Sequence, residues 1–428
     1  MPTKPYCYNM AAQIIHIATL HANIDTNIHK NKGTFLSKHK IVIVGGGFAG
    51  IKAALELSQD KRFHITLVSD KPDFRYYPTL FRTATGGRRI ISSIMLNELF
   101  AGKSVHVIKS TVNKLDKKSR TIGTNTGHSI SFDGLVLCIG TMPNYFGIKG
   151  LREYSYGIKS NKDAERLKKH LHDQLLVDKH PDLNYIVVGG GPTGVELSGV
   201  LPAYLKEICK RHNVKNPKIH VDLVESAKRL LPKMPRRYSD AVSRRLHKLG
   251  VKIYLNSKVE AETTKGLMIA GKTILSRTVI WTAGVKNNTF FADQGFQLAS
   301  NGRVRVDQYL QSDSGIYVIG DNADTPYSGM AQTALYDGKF LAKNLKRLAD
   351  GKSAKPYYAK KPIYVIPAGR KWSAILWGKV QIYGRLGWLV RRAADLVAYH
   401  DYEPFRKATS RWMAEDDSEE PCRVCKKL

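Results

Sequence analysis

The stretch Lys40-Ile-Val-Ile-Val-Gly-Gly-Gly-Phe-Ala-Gly50 decides the fold. Ile41–Val44 is a short, continuously apolar, β-branched run, the pattern of a strand buried on both faces of a parallel sheet. It runs straight into Gly45, Gly47 and Gly50 at G-x-G-x-x-G spacing, followed by a helical pattern over Ile51–Leu57. A second strand signal, His64–Val68, ends at Ser69-Asp70, with the acid 20 residues past the last glycine. In such a unit the first glycine allows a tight turn and the second lets backbone approach a pyrophosphate. The third permits close helix–strand packing. The helix N-terminus behind the turn then offers free N–H groups to the phosphates.

The pattern recurs. Tyr185–Val188 leads into Gly189, Gly191 and Gly194, a helix from Val195 to about His212, and a strand Ile219–Val224 that ends at Glu225. A lone glycine fingerprint is common punctuation, but two of them, each between a buried strand and a helix, form an internal duplication. The expected class is α/β with two Rossmann-like dinucleotide-binding domains, supplemented by strands at Gly134–Ile139, Thr278–Trp281 and Gly315–Ile319. Glu225 ends the second strand of its unit, where a carboxylate binds ribose hydroxyls and repels a 2′-phosphate, favouring NADH over NADPH. In the first unit two readings stay open. Either Asp70 takes the ribose role one residue late, or Ser69 makes a weaker contact while Asp70 starts a turn.

Composition bounds the rest. The chain has 428 residues, 43% of them apolar and 24% charged, which suits two or three folded domains and argues against wholesale disorder. Five cysteines do not make a disulfide scaffold, so a reducing compartment is expected. No run reaches the ~18 consecutive apolar residues of a spanning helix. The oddity is 68 Lys+Arg against 36 Asp+Glu, a formal charge of +32. A surplus of that size points to an anionic partner, nucleic acid or an acidic membrane surface, unless lysine-rich usage in the source accounts for part of it.

With these motifs in hand, the chain resembles a known family, the type II NADH dehydrogenases. These are single-subunit flavoproteins that pass electrons from NADH to a quinone without pumping protons. The carriers are Ile43–Gly50, Tyr76–Leu80 to Gly86, Leu135–Pro143, Gly189–Glu196, Leu230–Pro232, Ile280–Gly284, Ile319–Asp321 and Met330–Ala334. The resemblance covers 39–350 well and 351–413 loosely. It implies FAD on the first unit and NADH on the second, with the second inserted into the first. The implied division is a flexible extension over 1–38, an FAD domain over 39–150 and 285–350, and an NAD domain over 151–284. A membrane-association segment over 351–413 and a charged tail over 414–428 follow.

By the same resemblance Gly45, Gly47 and Gly50 meet the FAD pyrophosphate, and Gly189, Gly191 and Gly194 that of NADH. Thr141, Gly284, Gly320, Asp321 and Ala331 fall in motifs that line the cofactors. Asp321, after a buried strand and a glycine, matches the position beside the flavin's ribityl–phosphate region. Glu196, on the first turn of its helix, matches an acid placed beside nicotinamide and flavin, where a carboxyl of raised pKa could relay a proton to a quinone. Gln332 matches the first glutamine of the family's A-Q-x-A-x-Q signature near the quinone. Tyr336 stands where the second glutamine is expected, and Val200 where a second acid is expected.

Other chemistry is disfavoured. Disulfide reductases of this class carry a cysteine pair after the first unit, and Asp73–Gly87 holds none. Cys138 and Cys209 sit in apolar contexts and read as small buried hydrophobes. Cys422 and Cys425 supply two of the four ligands a zinc site needs, with no histidine spacing to complete them, so an inert tail and no metal are expected. Residues 352–413 carry thirteen Lys/Arg against three acids, together with Trp372, Trp377, Trp388 and Trp412. That mixture suits a lipid headgroup region. Leu386, Leu389, Val390, Ala393, Leu396 and Val397 share one side of a helix, with Arg391, Arg392 and Asp395 elsewhere; an in-plane anchor and a helix on the protein's own core both fit. The expected partners are a membrane quinone and an anionic membrane surface, with a homodimer left open and nucleic acid disfavoured. The expected location is peripheral on the cytoplasmic face of the cell membrane, or on the mitochondrial inner membrane in a eukaryote. Two other functions stay open: a soluble NADH:acceptor flavin reductase, and a redox-sensing nucleic-acid- or lipid-binding flavoprotein.

Overall fold

The computed structural model describes residues 39–215 and 217–425; the extension expected over 1–38 lies outside them. The first strands are β1 (His39–Val44), β2 (Phe63–Ser69), β3 (Val105–Lys109) and β4 (Gly134–Leu137). Five more, β5 (Tyr156–Gly157), β6 (Tyr185–Val188), β7 (Val221–Val224), β8 (Val251–Tyr254) and β9 (Thr278–Trp281), form a second sheet. The chain then returns to the first sheet as β10 (Gln311–Asp313) and β11 (Ile316–Val318). Among the described residues the orders are β10-β11-β4-β1-β2-β3 and β5-β9-β6-β7-β8. β1 pairs in parallel with β4, Ile41 opposite Gly134 and Val44 opposite Leu137, and β6 pairs in parallel with both β7 and β9. The fold is therefore α/β with two parallel-sheet dinucleotide units.

The apolar runs fold this way because both faces of each sheet are covered. Ile41, Val42, Ile43 and Val44 are all buried, as are Tyr185 to Val188. Each such side chain contributes about 1.5–3 kcal/mol on leaving water. Helix α1 (Phe48–Leu57) follows the first glycine turn. The helices α2 (Asn161–Val177) and α3 (Pro192–Arg211) cover the second sheet. After β11 comes α4 (Ala331–Ala349), packed along α1. The helices approach closely at Gly338, where a Cβ would lie 2.4 Å from the Ala49 carbonyl oxygen.

The chain leaves the first sheet and returns to it through one antiparallel pair of short strands, Thr141–Pro143 with Val285–Asn287. Asn322 fastens this crossing. Its amide nitrogen donates to the Gly140 carbonyl at 2.8 Å and to Asn287 Oδ1 at 2.6 Å, and its oxygen accepts the Gly140 N–H at 2.8 Å.

Beyond α4 the strands Tyr364–Pro367, Ser373–Trp377 and Val380–Ile382 form an antiparallel sheet. Helices α5 (Gly384–His400) and α6 (Phe405–Met413) follow. Helix α5 is inverted relative to an ordinary surface helix. It buries Arg391, Arg392 and Asp395 and turns Leu386, Leu389 and Val397 outward at 61%, 56% and 65% exposure. Two features expected of the segment are corrected. Arg391, Arg392 and Arg411 are buried in ion pairs with Asp395, Glu403 and Glu415, so they do not add to a surface patch. Trp412 is a partly buried packing group: its Nε1 donates to the Arg392 carbonyl at 2.7 Å and its ring carries the Arg392 guanidinium.

The last residues also differ from expectation. Rather than trailing as an inert tail, 414–425 fold back across the body, with Glu415, Glu420, Cys422 and Cys425 all buried.

Candidate functional site

Each glycine fingerprint forms a cradle whose free space lies where phosphate oxygens would sit. At Gly45, φ is +121° and a Cβ would lie 2.2 Å from the Cys138 carbonyl oxygen; at Gly50 it would lie 2.1 Å from the Gly45 oxygen. Gly47, between them, has nothing within 4 Å of its Cβ position. The second turn repeats this. A Cβ on Gly194 would strike the Gly189 oxygen at 1.8 Å, whereas the space at Gly191 is open. Two glycines in each turn are thus needed by the fold, and the middle one leaves backbone bare toward a ligand. These observations fit FAD on the first unit and a nicotinamide dinucleotide on the second, each with its pyrophosphate at a helix N-terminus.

The strand-end position separates the units. Gly45 N–H donates to the Val68 oxygen and Gly189 N–H to the Val224 oxygen, both at 2.8 Å, so Ser69 and Glu225 are equivalent. Glu225 lies under the glycine turn, accepting Gly190 N–H at 2.6 Å and Ala227 N–H at 2.7 Å. Its carboxylate is fixed before any ribose arrives. In the first unit the Ser69 hydroxyl lies close to Gly46, while Asp70 is exposed and pairs with Lys71 at 3.1 Å and Arg75 at 3.8 Å.

A second group of residues gathers where the domains meet. Gly320 has φ +69° and donates its N–H to Asp337 Oδ2 at 3.0 Å. Burial pushes the Asp337 carboxyl up to about 6, opposed by the hydrogen bond from Tyr357 at 2.7 Å. Burial also raises Asp321, with Lys159 and Arg303 pulling the other way. Lys159 Nζ lies 3.4 Å from Thr141 Oγ1 and 5.5 Å from the Tyr77 ring centre. Asp321, Thr141, Lys159 and Tyr77 are therefore near neighbours. Gly284 closes the NAD-domain side, where a Cβ would run into the Phe146 ring. Ala331 opens α4, and the adjacent Gln332 spends both ends of its amide on Ile363, donating to the carbonyl at 2.8 Å and accepting the N–H at 3.0 Å. Gln332 thus orients the segment entering the C-terminal sheet.

Glu196 is the fifth residue of α3, one turn later than the sequence suggested. Burial pushes its carboxyl up to about 8; Arg391 opposes the rise and Asp395 adds to it. Both of those residues come from α5. Arg391 forms ion pairs with Asp395 at 3.0 Å and with Glu415 at 2.8 Å, and Glu415 is also paired with Arg82 at 2.7 Å and with Arg392. The three guanidiniums hold the Glu415 carboxyl below its ordinary value despite its burial. Val200 packs against the core of the second unit, so the acid near Glu196 is Asp395, from an element some 200 positions away.

Sequence reasoning missed Asn322, Asp337, Lys159 and the Arg391–Asp395–Glu415 network. Asn322 and Asp337 carried a weak signal, lying beside or one helix beyond the Gly320-Asp321 motif. The network carried none, because charged residues on a helix read as solvent-facing. Cys138 and Cys209 match expectation: burial pushes their thiols up to about 12 and about 11, leaving them inert. The sequence showed no histidine spacing beside Cys422 and Cys425; the fold brings His172 and His212 to them.

The sequence pattern of the pyridine nucleotide-disulphide oxidoreductases matches residues 39–338. The type II NADH:quinone oxidoreductase of Staphylococcus saprophyticus is 26% identical over 338 residues, covering 73% of this chain and 83% of that protein. Among solved structures, NDH2 from Plasmodium falciparum in complex with NADH superposes with a TM-score of 0.78 at 17% identity, over 88% of this chain and 97% of that one. The sulfide:quinone oxidoreductase of Aquifex aeolicus superposes with a TM-score of 0.72 at 18% identity, over 90% and 98%. The chain belongs to the pyridine nucleotide-disulphide oxidoreductase family.

Proposed function

We propose that this protein is a type II NADH dehydrogenase, which oxidises NADH and delivers the two electrons to a quinone at a membrane surface. FAD, when bound, supplies the hydride acceptor and the electron donor. The chain's own residues do the rest. Gly47 and Gly191 let backbone reach the two pyrophosphates, and the fixed Glu225 carboxylate takes ribose hydroxyls and repels a 2′-phosphate.

The observation that carries the reading is the position of Glu196, near the start of α3 and beside Arg391 and Asp395 of α5, where burial pushes its carboxyl up to about 8. Reducing a quinone takes two electrons and two protons, and a hydride brings one proton with the pair. The second must come from solvent. Glu196 Oε can hold that proton and replace it, with Arg391 and Asp395 setting its affinity. No cysteine lies in Asp73–Gly87, and Cys138 is a buried thiol, which favours quinone over a disulfide as acceptor.

The outward stripe of α5 supports a bilayer as the docking surface. Leu386, Leu389 and Val397 lie along one helix face, and Phe405 and Met413 of α6 are exposed at 60% and 61%. Arg385, Arg406 and Lys407 beside them are exposed cations, suited to anionic headgroups. Among the described residues no helix is long and apolar enough to cross a membrane. The protein would lie on the cytoplasmic face of the membrane.

The test is NADH oxidation by purified, FAD-loaded protein with a ubiquinone or menaquinone analogue, with and without anionic vesicles. Turnover with quinone and its absence with soluble redox proteins is expected. The double variant L386E/V397E should lose vesicle binding and keep turnover with a water-soluble quinone. Turnover confined to a soluble protein acceptor would overturn the proposal.

A further inference from the structure

The C-terminal tail ends in a four-residue cluster that no part of the redox chemistry uses. His172 is on α2, His212 follows the last residue of α3, and Cys422 and Cys425 arrive from the tail. Four ligand atoms, one from each residue, lie within 4.8 Å of one another. His172 Nδ1 is 3.0 Å from His212 Nε2 and 3.5 Å from Cys425 Sγ. His212 Nε2 is 3.6 Å from Cys422 Sγ and 3.5 Å from Cys425 Sγ. Neither cysteine is in a disulfide.

We propose that this cluster is a structural zinc site of Cys₂His₂ type. Zinc bonds of about 2.3 Å to sulfur and 2.0–2.1 Å to nitrogen at tetrahedral angles put nitrogen about 3.6 Å from sulfur. The three nitrogen–sulfur separations already stand there. Two nitrogens on one zinc lie about 3.3 Å apart, so the imidazoles would part by a few tenths of an ångström. Two imidazoles and two sulfurs in tetrahedral reach select zinc over the hard, oxygen-seeking cations.

The surroundings are built as a zinc site's are. The far nitrogen of His172, Nε2, lies 2.8 Å from Glu420 Oε2, and Tyr204 donates its hydroxyl to the same carboxylate oxygen at 2.9 Å. A carboxylate on the outer imidazole nitrogen fixes the tautomer that turns Nδ1 to the metal. His172 is 1% exposed and each cysteine 5%, while His212 is partly buried, and four protein ligands leave no coordination position for substrate. On binding, both thiols lose their protons to solvent. Two thiolates and two neutral imidazoles then balance the charge of the dication.

The position gives the ion a role. The tail is held at Gly86, where Glu419 N–H donates to the carbonyl at 2.7 Å, and at Lys168, which donates to the Glu419 carbonyl at 2.5 Å. A few residues upstream is Glu415, the acid that gathers Arg82, Arg391 and Arg392. Zinc would clip the strap carrying Glu415 to the C-terminal end of α3, the helix whose other end carries Glu196.

The experiment is metal analysis of the full chain, purified without a histidine tag or chelator. One zinc per chain is expected in the wild type, and less than about a tenth of that in C422S/C425S at unchanged FAD content. Should that variant not fold, cobalt is exchanged into the chelated wild type. A tetrahedral site with two thiolates then shows strong visible d–d bands and a sulfur-to-cobalt charge-transfer band. Wild type that stays zinc-free after equilibration with excess zinc, a disulfide between Cys422 and Cys425, zinc retained by the double variant, or a weak six-coordinate cobalt spectrum would each overturn the assignment.

Discussion

Replacing Glu196 with glutamine removes one ionisation and little volume. In the folded protein this carboxyl holds its proton to about 8, against 4.5 for a free glutamate. Below pH 4.5 the group is protonated in both folded and unfolded chains and costs nothing. Between 4.5 and 8 the unfolded chain releases the proton while the folded one keeps it, so stability falls as pH rises through that window. Above 8 the cost is constant. The full difference corresponds to at most about 5 kcal/mol; because the side chain keeps some solvent contact, about 2–3 kcal/mol is the reasoned figure. E196Q has no proton to lose and escapes this cost. Urea unfolding of FAD-saturated protein should therefore show wild type and variant nearly equal at pH 5, and the variant more stable by about 2–3 kcal/mol at pH 9. The same variant cannot relay a proton. Its quinone-dependent kcat should drop on the order of 10²-fold, while reduction of bound FAD by NADH in a single turnover stays within a few-fold. A stability difference that is the same at both pH values would refute the buried-carboxyl argument, and unchanged quinone turnover would remove Glu196 from proton transfer.

Two other outcomes follow from the geometry. G45A forces a Cβ to 2.2 Å from a carbonyl oxygen at φ +121° and should leave little folded protein. G47A meets nothing and should fold with weakened FAD binding; equal effects on soluble yield and FAD retention from the two would contradict the cradle. E415Q leaves Arg82, Arg391 and Arg392 with Asp395 and the exposed Asp416, 3.9 Å from Arg392, and should lower stability by about 3–5 kcal/mol in urea unfolding. A loss below about 1 kcal/mol would show that the network is not a buried, mutually dependent one.

Much of the cofactor machinery was legible in the sequence because it is local. A buried strand, a glycine turn and a helix lie within residues 39–57 in the first unit and 185–211 in the second, and each glycine's requirement is imposed by atoms close by in chain or sheet. The same holds for Glu225, whose position follows from where β7 ends. The Ser69 or Asp70 ambiguity was real at that level. The shared hydrogen bonds of Gly45 and Gly189 to their neighbouring strands make Ser69 the positional counterpart of Glu225.

What only the tertiary structure decided concerns the C-terminal quarter and everything that touches it. The residues of α5 have one periodicity and two solutions, and local sequence does not say which face turns inward. The polar face does, because Glu415 returns from the tail to neutralise Arg391 and Arg392, and a buried guanidinium is stable only beside such a partner. That inversion exposes the apolar stripe and brings Asp395 toward Glu196. The four-ligand cluster was equally hidden. Its two histidines are 40 positions apart and lie 210 or more from the cysteines, and long-range proximity is set by how whole elements pack, which no spacing rule records.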